Sequence, residues 1–200
     1  MTIDAQVYLR CGACEATFLE PGQRMSVADE RAHYLTHEND PGDPGYRRFL
    51  AKLADPLLVR LEPESSGLDF GCGPGSALAA MLRQAGHRVA LYDPAFEPDP
   101  AVLERRYDFI TCTEVVEHLH QPADVLDRLD ALLLPGGWLG IMTCFQTDDT
   151  RFAGWTYRRE PTHVVFYRQA TLARIAEIHG WRPDFPVKDV ALMRKPGDGF

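Results

Sequence analysis

The segment Leu68-Asp69-Phe70-Gly71-Cys72-Gly73-Pro74-Gly75 limits what this chain can become more than any other feature. An apolar strand runs into three glycines at alternate positions, and a helical pattern follows. Glycines at 71, 73 and 75 permit positive φ and let the main chain come close to a ligand, while Asp69 at the strand end can accept hydrogen bonds or face a positive charge. The spacing is G-x-G-x-G. Dinucleotide loops read G-x-G-x-x-G, and a carboxylate just before the loop would repel a pyrophosphate. Taken alone, the segment also fits a tight strand-to-helix turn that binds nothing.

A second strand, Arg88-Val-Ala-Leu-Tyr92, ends in Asp93, about 20 residues past the loop, where a carboxylate that holds ribose hydroxyls is expected. The other reading of Asp93 is a turn residue before Pro94. Between the strands, Ser76 is placed to cap a helix carrying Leu78, Met81, Leu82 and Ala85, with Gly86 at its end. Tyr107 to Leu119 starts as a buried strand and turns into a polar, helical segment. Val125, Leu129 and Leu132 give a helix stopped by Pro135-Gly136-Gly137, and a strand reaches Met142. Strands alternating with helices imply a parallel sheet covered on both faces, with ligands at the carboxyl ends of its strands. Asp69, Asp93 and Cys112-Thr113-Glu114 all fall at such ends.

These motifs together resemble the class I S-adenosylmethionine (SAM) methyltransferases over about residues 66–195. The resemblance implies an α/β, Rossmann-like sheet and methyl transfer from SAM. It places Asp69, Phe70, Gly71, Cys72, Gly73 and Gly75 around the aminocarboxypropyl end of the cofactor, and Asp93 with Pro94 at the ribose. Cys112, Thr113 and Glu114 fall at the strand end beside the transferred methyl. Glu114-Val-Val-Glu117-His118 is similar to the E-x-x-E-H segment of metal-assisted O-methyltransferases, including those of ubiquinone biosynthesis. In that comparison His163, in Pro161-Thr-His-Val-Val, completes a set for Mg2+ or a similar cation. If a helix starts at Glu114, the i, i+3 and i, i+4 spacings bring Glu114, Glu117 and His118 together. The competing reading is metal-free, with His118 or His163 as general base. A SAM- or nucleoside-binding module without transfer activity is the alternative function. A nucleotide-dependent oxidoreductase is disfavoured by the loop spacing.

Residues 1–66 read as a separate N-terminal region before a SAM-binding domain at 67–200. It opens with Cys11-Gly-Ala-Cys14, a C-x-x-C knuckle, with His33 and His37 farther on; zinc, a degenerate half of a zinc ribbon, and a helix that carries His33 and His37 over the SAM site are all open. Asn39 to Tyr46 is rich in turn residues. Leu50, Leu53, Leu57 and Leu61 form an amphipathic helix, interrupted or restarted at Asp55-Pro56, which the resemblance makes a lid over the cofactor. Only 13 residues separate Asp93 from Tyr107, too few for a full helix–strand–helix module, so the sheet is expected to be shortened in its middle. Phe96 is then either an adenine-stacking ring or a plug at the sheet edge.

Cys144 to Tyr167 collects Phe145, Phe152, Trp155 and Tyr157 with Arg158-Arg159, a segment that suits either a pocket wall for a planar or anionic acceptor or a packed excursion. A helix through Thr171, Leu172, Ile175 and Ile178 ends at Gly180, and Val187 to Met193 closes the sheet as an antiparallel edge. A net charge of −8 without a basic block disfavours nonspecific nucleic-acid binding and leaves a small-molecule acceptor as the expected partner. The first residues lack a basic-then-apolar pattern, and no apolar run is long enough for a membrane helix, so the expected location is cytoplasmic. Five cysteines, three of them inside strand or loop motifs, fit reduced thiols.

Overall fold

A computed structural model describes residues 1–35 and 40–197. His37 and Asn39 lie outside them. The main sheet has six strands: β4 (Ser66–Phe70), β5 (Arg88–Tyr92), β6 (Tyr107–Thr113), β7 (Leu133–Met142), β9 (Arg182–Asp184) and β10 (Val190–Arg194). Their order is β5-β4-β6-β7-β10-β9; the first four run parallel, and the β9–β10 hairpin is antiparallel to its neighbours. The closing strand thus starts at Val190 and lies one place in from the edge. Positive φ at Asp189 turns the chain into it.

Two helical layers cover the sheet. The helices α2 (Pro44–Leu58) and α3 (Ala77–Gln84) bury Leu50, Leu53, Leu57, Leu78 and Leu82 on one face. On the other, α4 (Pro122–Leu132) and α6 (Gln169–His179) bury Leu126, Leu129, Leu132, Leu172 and Ala176. Strand periodicity assigns the side chains: in β6 Phe109 faces the first layer and Ile110 the second, and in β10 Val190 and Leu192 alternate with Ala191 and Met193. Helix α3 begins where expected, because the Ser76 hydroxyl accepts the Ala79 N–H. Helix α2 runs through Asp55-Pro56 without a break: the proline gives up the one N–H that would reach the Lys52 carbonyl, and the helix ends two residues later at Leu58.

The sheet stops at β5. Residues between Asp93 and Tyr107 form only a bridge between Asp93 and Glu97 and a 3-10 turn at Pro100–Glu104, whose Val102 and Leu103 are buried. No helix among the described residues is long and apolar enough to cross a membrane.

The N-terminal residues build a second, antiparallel sheet from β1 (Thr2–Ile3), β2 (Gln6–Arg10), β3 (Thr17–Leu19) and β8 (Val165–Phe166), in that order. Strand β3 therefore pairs with a segment that follows the main parallel sheet, and α2 packs on that sheet directly. Packing is continuous across residue 66.

Gly67 in β4 is where the layers leave least space. A Cβ there would stand 2.1 Å from the Phe109 ring, which is itself fully buried. Gly67→Ala is expected to cost about 3 kcal/mol, at the upper end of overpacking effects, measured by denaturant unfolding. A loss below about 0.5 kcal/mol would mean that the ring moves aside freely.

Candidate functional site

The carboxyl ends of β4, β5 and β6 open into a cavity of about 950 Å³. Gly71, Gly73 and Gly75 all have positive φ, so the loop takes a path closed to most side chains. At Gly71 a Cβ would also meet Val115 Cγ2 at 2.4 Å. Gly71 and Cys72 donate their N–H groups to the Tyr92 carbonyl at 2.7 and 3.2 Å. Asp93 fixes the loop from the neighbouring strand: Oδ2 accepts from Gly73 N at 3.0 Å, and Oδ1 from Ala95 and Phe96 N at 2.8 and 3.2 Å.

Asp69 is buried, and both its oxygens accept from hydroxyls, Ser76 at 2.5 Å and Thr111 at 2.6 Å. Burial raises its carboxyl pKa against those two bonds. The same burial, with nearby carboxylates, pushes the Cys72 thiol up to about 12. Asp69, Phe70, Gly71, Cys72, Gly73 and Asp93 line the cavity, and so do Pro94, Thr113 and Glu114. The Thr113 hydroxyl is buried without a partner. Cys112 does not join them. Strand alternation sends it with Ile110 into the core, where it is fully buried. Gly75 shapes the turn and stands against Pro41. Phe96 lines the cavity, half-buried beside Asp93.

The expected helix at Glu114 is absent. Glu114 has φ +51, and Val116–His118 is a single 3-10 turn, so the i, i+3, i+4 argument does not apply. The turn itself assembles the cluster. Ligand-type atoms of Glu117, His118 and His163 lie within 4.8 Å of one another, and Glu114 stands apart from that group. Each imidazole donates Nδ1–H to a main-chain carbonyl, His118 to Thr162 at 3.1 Å and His163 to Tyr157 at 2.7 Å, which puts the lone pair of the neutral ring on Nε2. Glu117 is fully buried; Oε1 accepts from the Tyr157 hydroxyl at 2.6 Å, and Oε2 has no hydrogen-bond partner among the described residues. Burial raises the Glu117 pKa, opposed by His163 and Tyr157. Burial and the nearness of Glu117 push the Glu114 carboxyl up to about 8. Burial also lowers the His163 pKa, which favours its neutral form. One carboxylate and two imidazoles suit a divalent cation, and either imidazole suits a base.

One helix borders the cavity through Glu30 and Tyr34. Helix α1 (Val27–Tyr34) bonds Glu30 to His120 at 2.7 Å and His33 to Glu160 at 2.5 Å, and Tyr34 sets its ring edge-on to His118 at 5.4 Å. Tyr46 of α2 also lines the cavity. His33 is thus turned to the cavity rim, away from the knuckle. Cys11 and Cys14 are free thiols, and among the described residues they form no group of three or more metal-ligating side chains. The zinc arrangement with His33 is not assembled.

Arg158 is the other departure. Its guanidinium is buried, bonded to Asp4 at 2.8 Å, Tyr8 at 3.0 Å and Gln6 at 3.1 Å, and so it ties the second sheet to the wall and does not face an acceptor. From the same segment Thr156, Tyr157 and Glu160 reach the cavity, whereas Phe152 is core.

The model of a family described as "Methyltransferase domain" matches residues 43–184. A ubiquinone biosynthesis O-methyltransferase of Serratia proteamaculans is 31% identical over 139 residues, covering 68% of this chain and 58% of that protein. The chain spans about half the length of the relatives it matches. Among solved structures, a 1,6-didemethyltoxoflavin N1-methyltransferase of Burkholderia thailandensis, with S-adenosylhomocysteine bound, aligns at TM-score 0.61 and 19% identity over 96% of this chain and 99% of that one. A magnesium protoporphyrin IX methyltransferase of Synechocystis aligns at 0.57 and 16% identity, covering 85% and 94%. At these identities the two structures speak to the fold.

Proposed function

The chain belongs to the class I SAM-dependent methyltransferase family, and from that premise we propose that it moves the methyl group of SAM to an oxygen of a small or medium acceptor. The observation that carries the reading is a shared cavity: the glycine loop with Asp93 and the wall with His118 and His163 border one space of about 950 Å³. That is room for a nucleoside cofactor and an acceptor side by side. Oxygen as the acceptor atom is supported by the relatives, which are named as O-methyltransferases.

The loop from Asp69 to Gly73 is assigned to the aminocarboxypropyl group, Asp93 and Pro94 to the ribose, and Thr113 with Glu114 to the sulfonium end. An acceptor oxygen then approaches the methyl carbon opposite sulfur. The O–C bond forms as the C–S bond breaks, the sulfonium becomes the neutral thioether of S-adenosylhomocysteine, and the acceptor proton passes to Nε2 of His118 or His163 in the metal-free protein, or to solvent water where a cation holds those nitrogens.

The residues fit a divalent cation, since the buried Glu117 Oε2 has no hydrogen-bond partner among the described residues and ligand-type atoms of Glu117, His118 and His163 lie within 4.8 Å of one another. Glu117, His118 and His163 would hold it, with Glu114 nearby. When bound, a cation such as Mg2+ supplies Lewis-acid polarisation of an acceptor hydroxyl.

The test is calorimetric titration with S-adenosylhomocysteine, followed by transfer from labelled SAM to hydroxyl acceptors with Mg2+ or with chelator. One saturable site and methylated hydroxyls are expected. Absence of binding would withdraw the cofactor assignment, and transfer to nitrogen acceptors alone would withdraw the oxygen.

A further inference from the structure

Tyr157 touches the acid–imidazole cluster in three ways. Its hydroxyl oxygen lies 2.6 Å from Glu117 Oε1, 3.4 Å from Glu114 Oε2, 3.0 Å from Thr143 Oγ1 and 3.3 Å from Cys144 N. A phenol has one proton, and the shortest of these contacts to a carboxylate takes it. The Glu117 carboxylate therefore receives it, so the Thr143 hydroxyl and the Cys144 N–H are the groups that donate to the phenol oxygen. The main-chain carbonyl of the same residue accepts Nδ1–H of His163 at 2.7 Å, and its ring lies against the His163 imidazole with centroids 4.1 Å apart.

One residue thus orients two of the three cluster members, binding Glu117 through the hydroxyl and His163 through the carbonyl and the ring. Its own place is held from behind. Arg158, next in the chain, is buried and tied to Asp4, Tyr8 and Gln6 of the N-terminal sheet, and Trp155 packs beside the phenol ring with centroids 5.0 Å apart.

We propose that Tyr157 is the positioning residue of this cluster, holding Glu117 by Oε1 beside His118 and His163 so that the three can bind a divalent cation. The role rests on the cation reading given above. The hydrogen bond to Oε1 removes one of the two carboxylate oxygens from competition. The bond to His163 Nδ1 keeps the Nε2 lone pair of that ring available, the arrangement in which second partners of metal-binding imidazoles act.

Tyr157→Phe deletes the hydroxyl and keeps the ring and the carbonyl. The measurement is Mn2+ titration of the full chain, by calorimetry and by loss of the free-ion electron paramagnetic resonance signal, with S-adenosylhomocysteine affinity measured in parallel. The Mn2+ Kd is expected to rise about 10- to 100-fold, the usual cost of losing such a partner, while cofactor affinity stays within about twofold. Thr143→Val leaves the phenol in place and removes a hydroxyl that donates to it; a rise of about threefold to tenfold is expected, equivalent to one neutral hydrogen bond. Wild-type Mn2+ affinity in both variants would overturn the role of Tyr157 and leave the cation site standing. A wild-type protein that takes up no Mn2+ would overturn the cation site, and the role of Tyr157 with it.

Discussion

Asp93→Ala is expected to weaken S-adenosylhomocysteine binding by about 100-fold, or roughly 3 kcal/mol. Two losses combine. The carboxylate accepts from Gly73, Ala95 and Phe96 N–H groups, so its removal frees the central glycine of the loop from the end of β5. It also removes the acceptor proposed for the ribose hydroxyls, and hydrogen bonds to a charged group contribute about 1.5 to 3 kcal/mol each. Asp93 is half-exposed, so water can replace it at the freed N–H groups of the empty protein, and the cost in stability should stay near 1 kcal/mol. Asp93→Asn separates the two losses. Its amide oxygen can still serve Ala95 and Phe96, but its NH2 cannot accept from Gly73, and an intermediate affinity follows. Calorimetry on the three proteins decides the matter: an Asp93→Ala Kd within about threefold of the parent would sink the ribose assignment.

The parts of the fold that could be read from the chain are those in which a local pattern has one structural solution. The apolar run into Gly71 and Gly73, the Ser76 cap and the strand ending in Asp93 depend on residues close in sequence, and they stand where the pattern puts them. The short link before Tyr107 likewise left no length for another strand, and β5 is the edge. What failed depended on distant contacts. A helix at Glu114 is reasonable from spacing alone, but Val115 must lie over Gly71, in the space where a Cβ would sit 2.4 Å from it, and the chain turns at Glu114 to allow this. For Arg158 the sequence leaves open a wall for an anionic acceptor and a packed excursion, and the choice falls on packing only when β8 is seen paired with β3, which brings Asp4 and Tyr8 behind it. The hydroxyl of Tyr157 has no sequence signature, because its partners Glu117 and Thr143 come from two other elements.

The largest change in activity is expected at Glu117, and its sign differs from the change in stability. Glu117→Gln keeps the side-chain shape but removes the charge. Without Glu117 the cluster offers two imidazoles and no carboxylate, so Mn2+ binding should be lost and kcat should fall by about 10² or more. Cofactor affinity should hold within about twofold, since Glu117 lies behind the wall of the cavity and touches none of the loop. Stability should rise. The parent buries a carboxylate whose Oε2 has no partner among the described residues, which costs stability in the metal-free protein. In the variant the amide oxygen can still accept from Tyr157, and a neutral amide costs less to bury than a carboxylate. A gain of about 1 kcal/mol in metal-free buffer is therefore expected, seen as a higher unfolding midpoint, and Mn2+ should raise the midpoint of the parent alone. If the parent keeps full activity in chelator and Glu117→Gln matches it, the cation has no part in the reaction and transfer must rest on a histidine base.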